Sequence, residues 1–245
     1  MRTSSPDRPA VQLSVRTPNK RKKRYGIVAA LLLLVLAAGV GTYAWLTAQS
    51  SLTNNFTTAG INKPTTDPDH PNQPLPDDKN KVNGNLTETN WVAGSKLAPG
   101  VTVSKNPNVG IGKGSENAYV YAFVKNETAS DTAADSHKTY FTINHGWKAV
   151  DATTVTGEPT HYLGGLFVYV GEGTEATPLT ASKNEDKWTG ELFSNVTTPK
   201  ETEQKDFAKD AKMTVNCFVY AADSTNEGSA ASAETAAKAW ANGLN

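Results

Sequence analysis

The stretch NAYVYAFVK, residues 117–125, decides the fold of this chain. Its small and β-branched side chains alternate with aromatic ones, so both faces of an extended strand would be apolar. The same side-chain pattern recurs in LFVYV, residues 166–170, and in MTVNCFVYA, residues 213–221. Strands that are apolar on both faces belong in the centre of a sheet that is covered on both sides. The three stretches therefore predict central strands, with four buried valines: Val120, Val168, Val215 and Val219.

Shorter stretches of strand-like composition surround these three. They are residues 101–104, 140–143, 147–150 and 188–193. Clusters of glycine, asparagine and proline separate them and mark turns. About seven short strands separated by such turns are typical of an all-β protein built as an antiparallel β-sandwich. We expect this sandwich to occupy residues 89–245.

The end of the chain changes from the period of a strand to that of a helix. Four apolar residues recur at the spacing of one helix face: Ala233, Ala236, Ala237 and Trp240. Ser232 suits the start of such a helix and Gly243 its end. We therefore predict a short C-terminal helix, which Trp240 seats on the sandwich.

The beginning of the chain carries a membrane signal. Residues 20–24 are all basic, and an apolar run of 22 residues, 27–48, follows them. A basic block before such a run keeps the N-terminus in the cytoplasm and directs the following chain across a membrane. We expect a cytoplasmic tail at residues 1–24, a signal peptide or transmembrane helix at residues 25–48, and an exported remainder.

Two outcomes stay open for this hydrophobic helix, because about 20 helical residues suffice to cross a bilayer. The first is a cleaved signal. Thr42 and Ala44 would place small side chains at the −3 and −1 positions of a cut between Ala44 and Trp45. The second is an uncleaved anchor that holds the protein in the membrane.

The formal net charge of zero hides an asymmetry along the chain. Residues 1–44 hold 8 basic residues and 1 acidic one, whereas residues 45–245 hold 16 basic and 23 acidic ones. A mildly acidic exported part does not suit nucleic acid, which requires clustered lysine and arginine, so we expect no nucleic acid partner. Cys217 is the single cysteine, so the domain must rely on its core and not on an internal disulfide.

Residues 62–88 differ in composition from the chain on either side. Five prolines fall within the thirteen positions 64–76, among aspartate and asparagine. Proline cannot donate to a sheet ladder, and it stiffens an extended chain. We therefore expect a solvated, proline-rich linker at residues 62–88, which would separate a short segment, residues 49–61, from the main domain.

Candidate catalytic groups are sparse. A zinc protease of the common type needs two histidines one helical turn apart with a glutamate beside them. The histidines here are widely spaced: His70, His137, His145 and His161. The glycine-rich residues 110–115 miss the spacing of a phosphate loop, and Cys217 lies in an apolar strand, where a thiol usually serves packing. We expect no catalytic residue, no metal, no cofactor and no enzyme activity.

Several parts of the chain resemble a known family. GVGTYAW at residues 39–45 and NNFTTAG at residues 54–60 resemble the export signal that SipW-type signal peptidases cut in Gram-positive bacteria. The body resembles the TasA and camelysin-like family of exported proteins, with a likeness that is thin between residues 126 and 210. The shared pieces are Trp91, LAPG at 97–100, KNPNV at 105–109, GSENAYV at 114–120, VYA at 219–221 and AWA at 239–241.

The resemblance implies a route and a function. The route is a membrane-inserted precursor, a cut by a SipW-type signal peptidase after Ala44, and an extracellular or cell-surface mature form with a jelly-roll-like sandwich. The function is that of a fibre subunit in the biofilm matrix, since in TasA the mature N-terminal segment completes the sheet of a neighbouring subunit. The matching strand-exchange residues are Trp45, Leu46, Leu52, Phe56 and Ile61.

Two alternatives accompany this interpretation. A detached apolar strand is suited to adding to another molecule's open sheet edge, but it can also pair with its own domain. The competing function is a membrane-anchored extracellular ectodomain that binds a ligand. The two functions differ at the processing site, because a fibre subunit needs a free N-terminus and an anchored ectodomain needs an intact hydrophobic helix.

Processing is open to a direct test. If the signal is cleaved, the secreted protein begins at Trp45 or within about four residues of it, and Ala44→Leu leaves a membrane-bound precursor, because the −1 pocket of signal peptidases accepts small side chains. N-terminal sequencing of the secreted protein measures the cut. Full-length protein in washed membranes of wild-type cells would favour the anchor instead.

Overall fold

A computed structural model describes residues 49–52, 56–92, 95–223 and 228–244, all within one compact unit of the chain. The predicted cytoplasmic tail, hydrophobic helix and cleavage site at Ala44 and Trp45 lie outside these residues, as does Leu46. No helix within the described ranges combines the length and the apolar character needed to cross a membrane.

The described chain is mostly β, with a single α-helix at its C-terminal end, as predicted. Two short 3-10 helices, Asp135–His137 and Gln204–Asp206, interrupt the strands. The strands are β1 (Gln49–Leu52), β2 (Phe56–Thr57), β3 (Val82–Asn83), β4 (Leu86–Thr87), β5 (Thr102–Ser104), β6 (Asn108–Ile111), β7 (Ala118–Ala129), β8 (Trp147–Val155), β9 (His161–Tyr169), β10 (Lys187–Glu191), β11 (Asn195–Thr197) and β12 (Phe207–Ala221); the helix is α1 (Ala230–Asn242).

Three sheets share these strands. The largest has the order β1-β12-β7-β9-β8, with β2 also paired to β12. Its ladders are antiparallel except where β1 and β2 run parallel to β12. A four-stranded sheet has the order β10-β6-β4-β3, and β11 pairs with β5 in a two-stranded sheet; both are antiparallel.

The large sheet is covered on both faces, which explains why residues 117–125 are apolar on both faces of their strand. Val120 and Val124 of β7 face a core that is shared with the smaller sheets, where Leu86 and Ile111 are fully buried. Tyr121 and Phe123 of the same strand face a second core beneath α1. All four valines predicted to be buried are buried: Val120, Val168, Val215 and Val219.

Helix α1 packs on the outer face of the large sheet. It begins at Ala230 and not at the predicted Ser232, because Ser229 is the N-cap and its hydroxyl oxygen accepts the Ser232 N–H at 3.3 Å. Gly243 is the C-cap, as predicted. Trp240 seats the helix as expected, since its ring lies 5.4 Å from that of Phe218 on β12.

Residues 62–88 form part of the folded body, not a solvated linker. They contain β3, β4 and a bridge between Thr66 and Pro74. That bridge suits proline, because its hydrogen bonds run from Asp67 N–H to Gln73 O and from Leu75 N–H to Thr65 O, so none requires a proline N–H. The prolines therefore shape a packed segment.

A buried ion pair joins this segment to the rest of the domain. Lys105 Nζ lies 2.6 Å from Glu88 Oε1, and both side chains are essentially inaccessible to solvent. The Lys105 ammonium also lies 5.2 Å from the ring centre of Trp91. Burial lowers the pKa of Lys105, although the nearby Glu88 carboxylate acts in the opposite direction. Such a pair fixes one arrangement, since losing either partner leaves the other charge buried and unpaired.

The core makes a quantitative prediction. Val215→Ala should lower the free energy of unfolding by about 1–3 kcal/mol, through lost burial and a small cavity. Val92→Ala is the matched control, because Val92 is 63% exposed and its truncation should change stability by less than about 0.5 kcal/mol. Urea unfolding followed by tryptophan fluorescence measures both. Equal losses in the two variants would contradict this view of the core.

Candidate functional site

The N-terminal strands lie at one edge of the large sheet, against β12. In β1, Gln49 pairs with Lys212 and Leu52 with Val215. In β2, Phe56 pairs with Phe218 and Thr57 with Val219. Residues 49–61 are the segment predicted to add to a neighbour's sheet, and the structure places their described part on their own domain. This is one of the two alternatives that the sequence left open.

Phe56 is the described side chain that most clearly anchors this segment. Its ring stacks on that of Phe218 with 4.7 Å between centres and 11° between planes. Phe218 is buried, whereas Phe56 is 44% exposed, so Phe56 forms the outer layer over the aromatic cluster beneath α1. The contact adds aromatic stacking to the backbone ladder.

Thr58 closes the pairing with β12. Its N–H donates to Val219 O at 3.1 Å, and its hydroxyl oxygen accepts the Ala221 N–H at 2.7 Å. In β2, the Thr57 hydroxyl also reaches Asn85 Oδ1 at 3.3 Å. These bonds mark the last point at which the segment holds the sheet edge.

The chain turns into the body directly after this point, at Gly60. Gly60 has φ +82°, and its carbonyl accepts the Glu116 N–H at 2.9 Å. Asn62 then binds the β6–β7 turn, since its N–H donates to Ser115 Oγ at 2.9 Å. Ile61, a predicted strand-exchange residue, lies between these contacts and packs against the main core of its own domain.

The glycine-rich residues 110–115 end strand β6 and begin the β6–β7 turn, on which residues 62–63 pack. Gly112 N–H donates to Asn62 O at 2.8 Å, and a Cβ on Gly112 would lie 2.2 Å from Lys63 O. A larger residue at position 112 would therefore push residues 62–63 away. Strands β6 and β7 belong to different sheets, so this turn is not a hairpin turn. It is a docking point for residues 60–66, which we call the root of the N-terminal segment.

Asp186, before β10, fastens the same root from the other side. Its Oδ2 accepts the Thr65 N–H at 2.6 Å and the Thr66 N–H and hydroxyl, both at 2.8 Å, while Oδ1 accepts the Lys113 N–H at 2.9 Å. Partial burial alone would raise the pKa of Asp186, but these hydrogen bonds outweigh it and hold the pKa below its usual value. The carboxylate is thus charged and bonded throughout the neutral range.

A second candidate site is an open groove of about 840 Å³, which we call the end groove. The end of β8, the start of β9, the chain after Asp135 and the chain after β11 surround it. The side chains that matter below are Asp135, Lys138, Tyr140, His161, Lys200 and Glu201.

Tyr140 and His161 form the aromatic part of the end groove. Their rings stack with 3.7 Å between centres and 16° between planes. A Cβ on Gly157 would lie 2.4–2.5 Å from three consecutive atoms of the His161 ring, which places Gly157 against the face of the imidazole. The imidazole is thus held between Gly157 on one side and the Tyr140 ring on the other.

The remaining histidines and the cysteine have structural surroundings. His137 Nδ1 lies 2.8 Å from Asp206 Oδ2, and His145 lies 3.8 Å from the exposed Glu172. Burial raises the pKa of the Cys217 thiol to about 12, so it is protonated at neutral pH. Within the described ranges, no group of three or more histidine, cysteine, aspartate or glutamate side chains is arranged to hold a metal ion.

No protein-family model, curated protein or solved structure matches the chain. The two candidate sites therefore stand on their own geometry. The sequence singled out the N-terminal segment and Phe56, and their role in strand exchange stays a prediction. Sequence reasoning missed Asp186 and the end groove, because residues distant in sequence build both and no local motif marks them.

The Asp186 contacts make a prediction about the root of the N-terminal segment. Asp186→Ala should speed amide hydrogen exchange at Thr65, Thr66 and Lys113 by roughly tenfold or more, because their acceptor is lost. Glu185→Ala is the control, since Glu185 is an exposed neighbour that pairs with Lys187. Unchanged exchange in Asp186→Ala would show that other contacts hold the root.

The same site has a defined pH dependence. Because folding lowers the pKa of Asp186, its contribution is fully present above the unfolded-state value of about 3.8 and is lost as the pH falls through the lower folded-state value. The protection of Thr65 and Thr66 in the wild type, taken relative to the intrinsic exchange rate at each pH, should therefore fall only below about pH 4. A transition near neutral pH would assign the control to another group.

Proposed function

We propose that this protein is an exported structural protein of the bacterial surface or extracellular matrix, which assembles into fibres by exchanging its N-terminal strand between copies. The observation that carries the proposal is the position of β1 and β2 as the outermost strands on β12, ahead of a firmly anchored root. The segment up to Thr58 is able to leave the sheet edge without unfolding the body.

The boundary of the exchanged segment follows from the contacts. Residues 49–52 and 56–58 pair with the sheet edge, whereas Ile61 and Asn62 are fastened to the body. We therefore place the exchanged strand before Ala59 and leave Ile61 out of it. The hinge is the turn at Ala59 and Gly60, and not the proline-rich segment that follows.

Exchange of this kind has a low intrinsic cost. A strand that leaves β12 of its own domain re-forms the same backbone ladder and the same Phe56–Phe218 stack on an identical neighbour. A two-residue hinge spans only about 7 Å, so neighbouring bodies must lie close together. The balance between self-pairing and exchange then depends on protein concentration.

The two edges of the large sheet differ in how well they could pair with a neighbour's strand. The β8–β9 ladder is irregular between Ala149 and Asp151 and again between Thr153 and Thr154. Irregular edges that carry charges discourage pairing with other chains. Along β12, by contrast, the ladder with β7 is unbroken from Lys212 to Ala221. The regular edge is therefore the one that a neighbour's strand would use.

The proposal includes the processing route and the finer fold. A cut after Ala44 would leave the exchanged strand at a free N-terminus, with a SipW-type signal peptidase as the partner that releases it from the membrane-inserted precursor. Two apolar cores on either side of the large sheet are in keeping with a jelly-roll-like sandwich. The sheet order and the covered faces support this architecture.

Deletion tests the exchange directly. Mature protein, residues 45–245, should form oligomers that grow with concentration, whereas residues 59–245 should stay monomeric and bind a synthetic peptide of residues 45–58. Size-exclusion chromatography with light scattering and electron microscopy measure assembly, and circular dichroism checks the fold. If the mature protein stays monomeric at high concentration and the peptide does not bind, the membrane-anchored, ligand-binding ectodomain becomes the better interpretation.

A point variant isolates the anchor. Phe56→Ala in the synthetic peptide of residues 45–58 should weaken its binding to residues 59–245 by about tenfold, because the stack on Phe218 forms only in the complex. Assembly of the mature protein is a poorer measure, because self-pairing and exchange would lose the same stack. Val92→Ala in residues 59–245 changes an exposed apolar residue in none of the strands paired with β12, so as the control it should leave binding of the wild-type peptide unchanged. Equal binding of the wild-type and Phe56→Ala peptides would remove Phe56 from the proposed interface.

A further inference from the structure

We propose that the end groove binds a neutral polysaccharide chain, with Tyr140 as the platform on which a sugar ring stacks. This inference goes beyond strand exchange and does not depend on it, because the groove shares no residue with β1, β2 or β12.

Tyr140 is fixed in place by its backbone. Its N–H donates to Thr197 O at 2.9 Å, and its carbonyl accepts the Thr197 N–H at 2.8 Å. The next residue, Phe141, exchanges two further hydrogen bonds with Tyr162, at 3.0 and 2.8 Å. Tyr140 thus sits where β9 and β11 are tied together, and a platform on rigid strands binds without ordering a loop.

The stack beneath Tyr140 fixes its ring as well. His161 covers one face of the tyrosine and is itself backed by Gly157. A ligand can therefore stack only on the opposite face of Tyr140. The absence of a side chain at Gly157 is required, because a Cβ there would overlap the imidazole. The arrangement is a layered support for a single aromatic surface that lines the groove.

The charges around the platform select the class of ligand. Lys138 and Asp135 form an ion pair at 2.8 Å, and exposed Lys200 and Glu201 add one charge of each sign. A polyanion would require an excess of cations. Paired donors and acceptors instead suit hydroxyl groups, which both donate and accept hydrogen bonds. The volume of about 840 Å³ is within the usual range of about 300–1,000 Å³ for binding sites.

A peptide is the less suitable occupant. Extended peptides gain affinity by adding to a free strand edge or by filling apolar pockets. Tyr140 has its backbone donor and acceptor satisfied by Thr197, so it offers no free strand edge, and about half of the groove lining is polar. Peptide binding is nevertheless one outcome that the experiment below distinguishes.

The test uses cellohexaose and chitohexaose as neutral probes and oligogalacturonate as an acidic one, titrated into residues 45–245 by calorimetry. We expect at least one neutral probe to bind and the acidic probe to bind at least tenfold more weakly. Tyr140→Ala should weaken the neutral probe about tenfold, and Tyr140→Phe should retain most of the affinity because the ring face is kept. Tyr119→Ala, an aromatic truncation outside the groove, should bind as the wild type.

Two further variants guard against an effect of misfolding. Lys200→Ala and Glu201→Gln alter exposed side chains, so they should leave the unfolding midpoint unchanged while weakening the neutral probe severalfold. Gly157→Ala should weaken it through displacement of His161. Phe56→Ala should bind the probe as the wild type, so failure of strand exchange and failure of this inference can be told apart.

Three results would overturn the inference. The first is no heat and no chemical-shift change with either neutral probe at millimolar concentration. The second is binding that Tyr140→Ala leaves unchanged, which would place the sugar elsewhere. The third is tighter binding of the acidic probe, or displacement of the neutral probe by a peptide, which would assign the groove to another class of ligand.

Discussion

The edge of β12 that faces away from β7 must be paired with a strand, and the rest of the structure depends on this constraint. Strand β12 is the longest in the described chain, its two faces contribute to both cores, and β7 pairs with one of its edges. Unpaired N–H and C=O groups on the other edge would be costly beside buried side chains. Residues 49–52 and 56–58 meet that demand here, and the same strands of a neighbouring copy would meet it equally well.

The body solves a related problem with charge. Glu88 and Lys105 are buried as a pair at 2.6 Å, against the ring of Trp91. A buried pair adds little net stability compared with apolar packing, but removing either partner would leave the other charge buried and unpaired. Together with Asp186 it fastens residues 62–88 to the domain. The proposed exchange would therefore leave these residues in place, because polar contacts hold them.

Sequence reasoning succeeded where the period of side chains carries the information. Alternation in residues 117–125 predicted a strand covered on both faces, and the i, i+3, i+4 spacing around Trp240 predicted the helix that covers one of them. It failed at residues 62–88, where the proline content predicted a linker. Proline only removes backbone N–H donors, and the bridge between Thr66 and Pro74 forms without those donors. Sequence reasoning also missed the Tyr140–His161 stack, since only long-range pairing brings the two rings together.

The parallel direction of β1 and β2 on β12 has a mechanical meaning. Tension applied between the N-terminal end of β1 and the C-terminal end of β12 pulls two parallel neighbours in opposite directions along their length. The hydrogen bonds between them are then loaded side by side and must break together, whereas an antiparallel edge pulled from the same ends would open one bond at a time. The N-terminal edge of this domain is therefore a shear clamp, suited to a protein whose chain bears load from its N-terminal side.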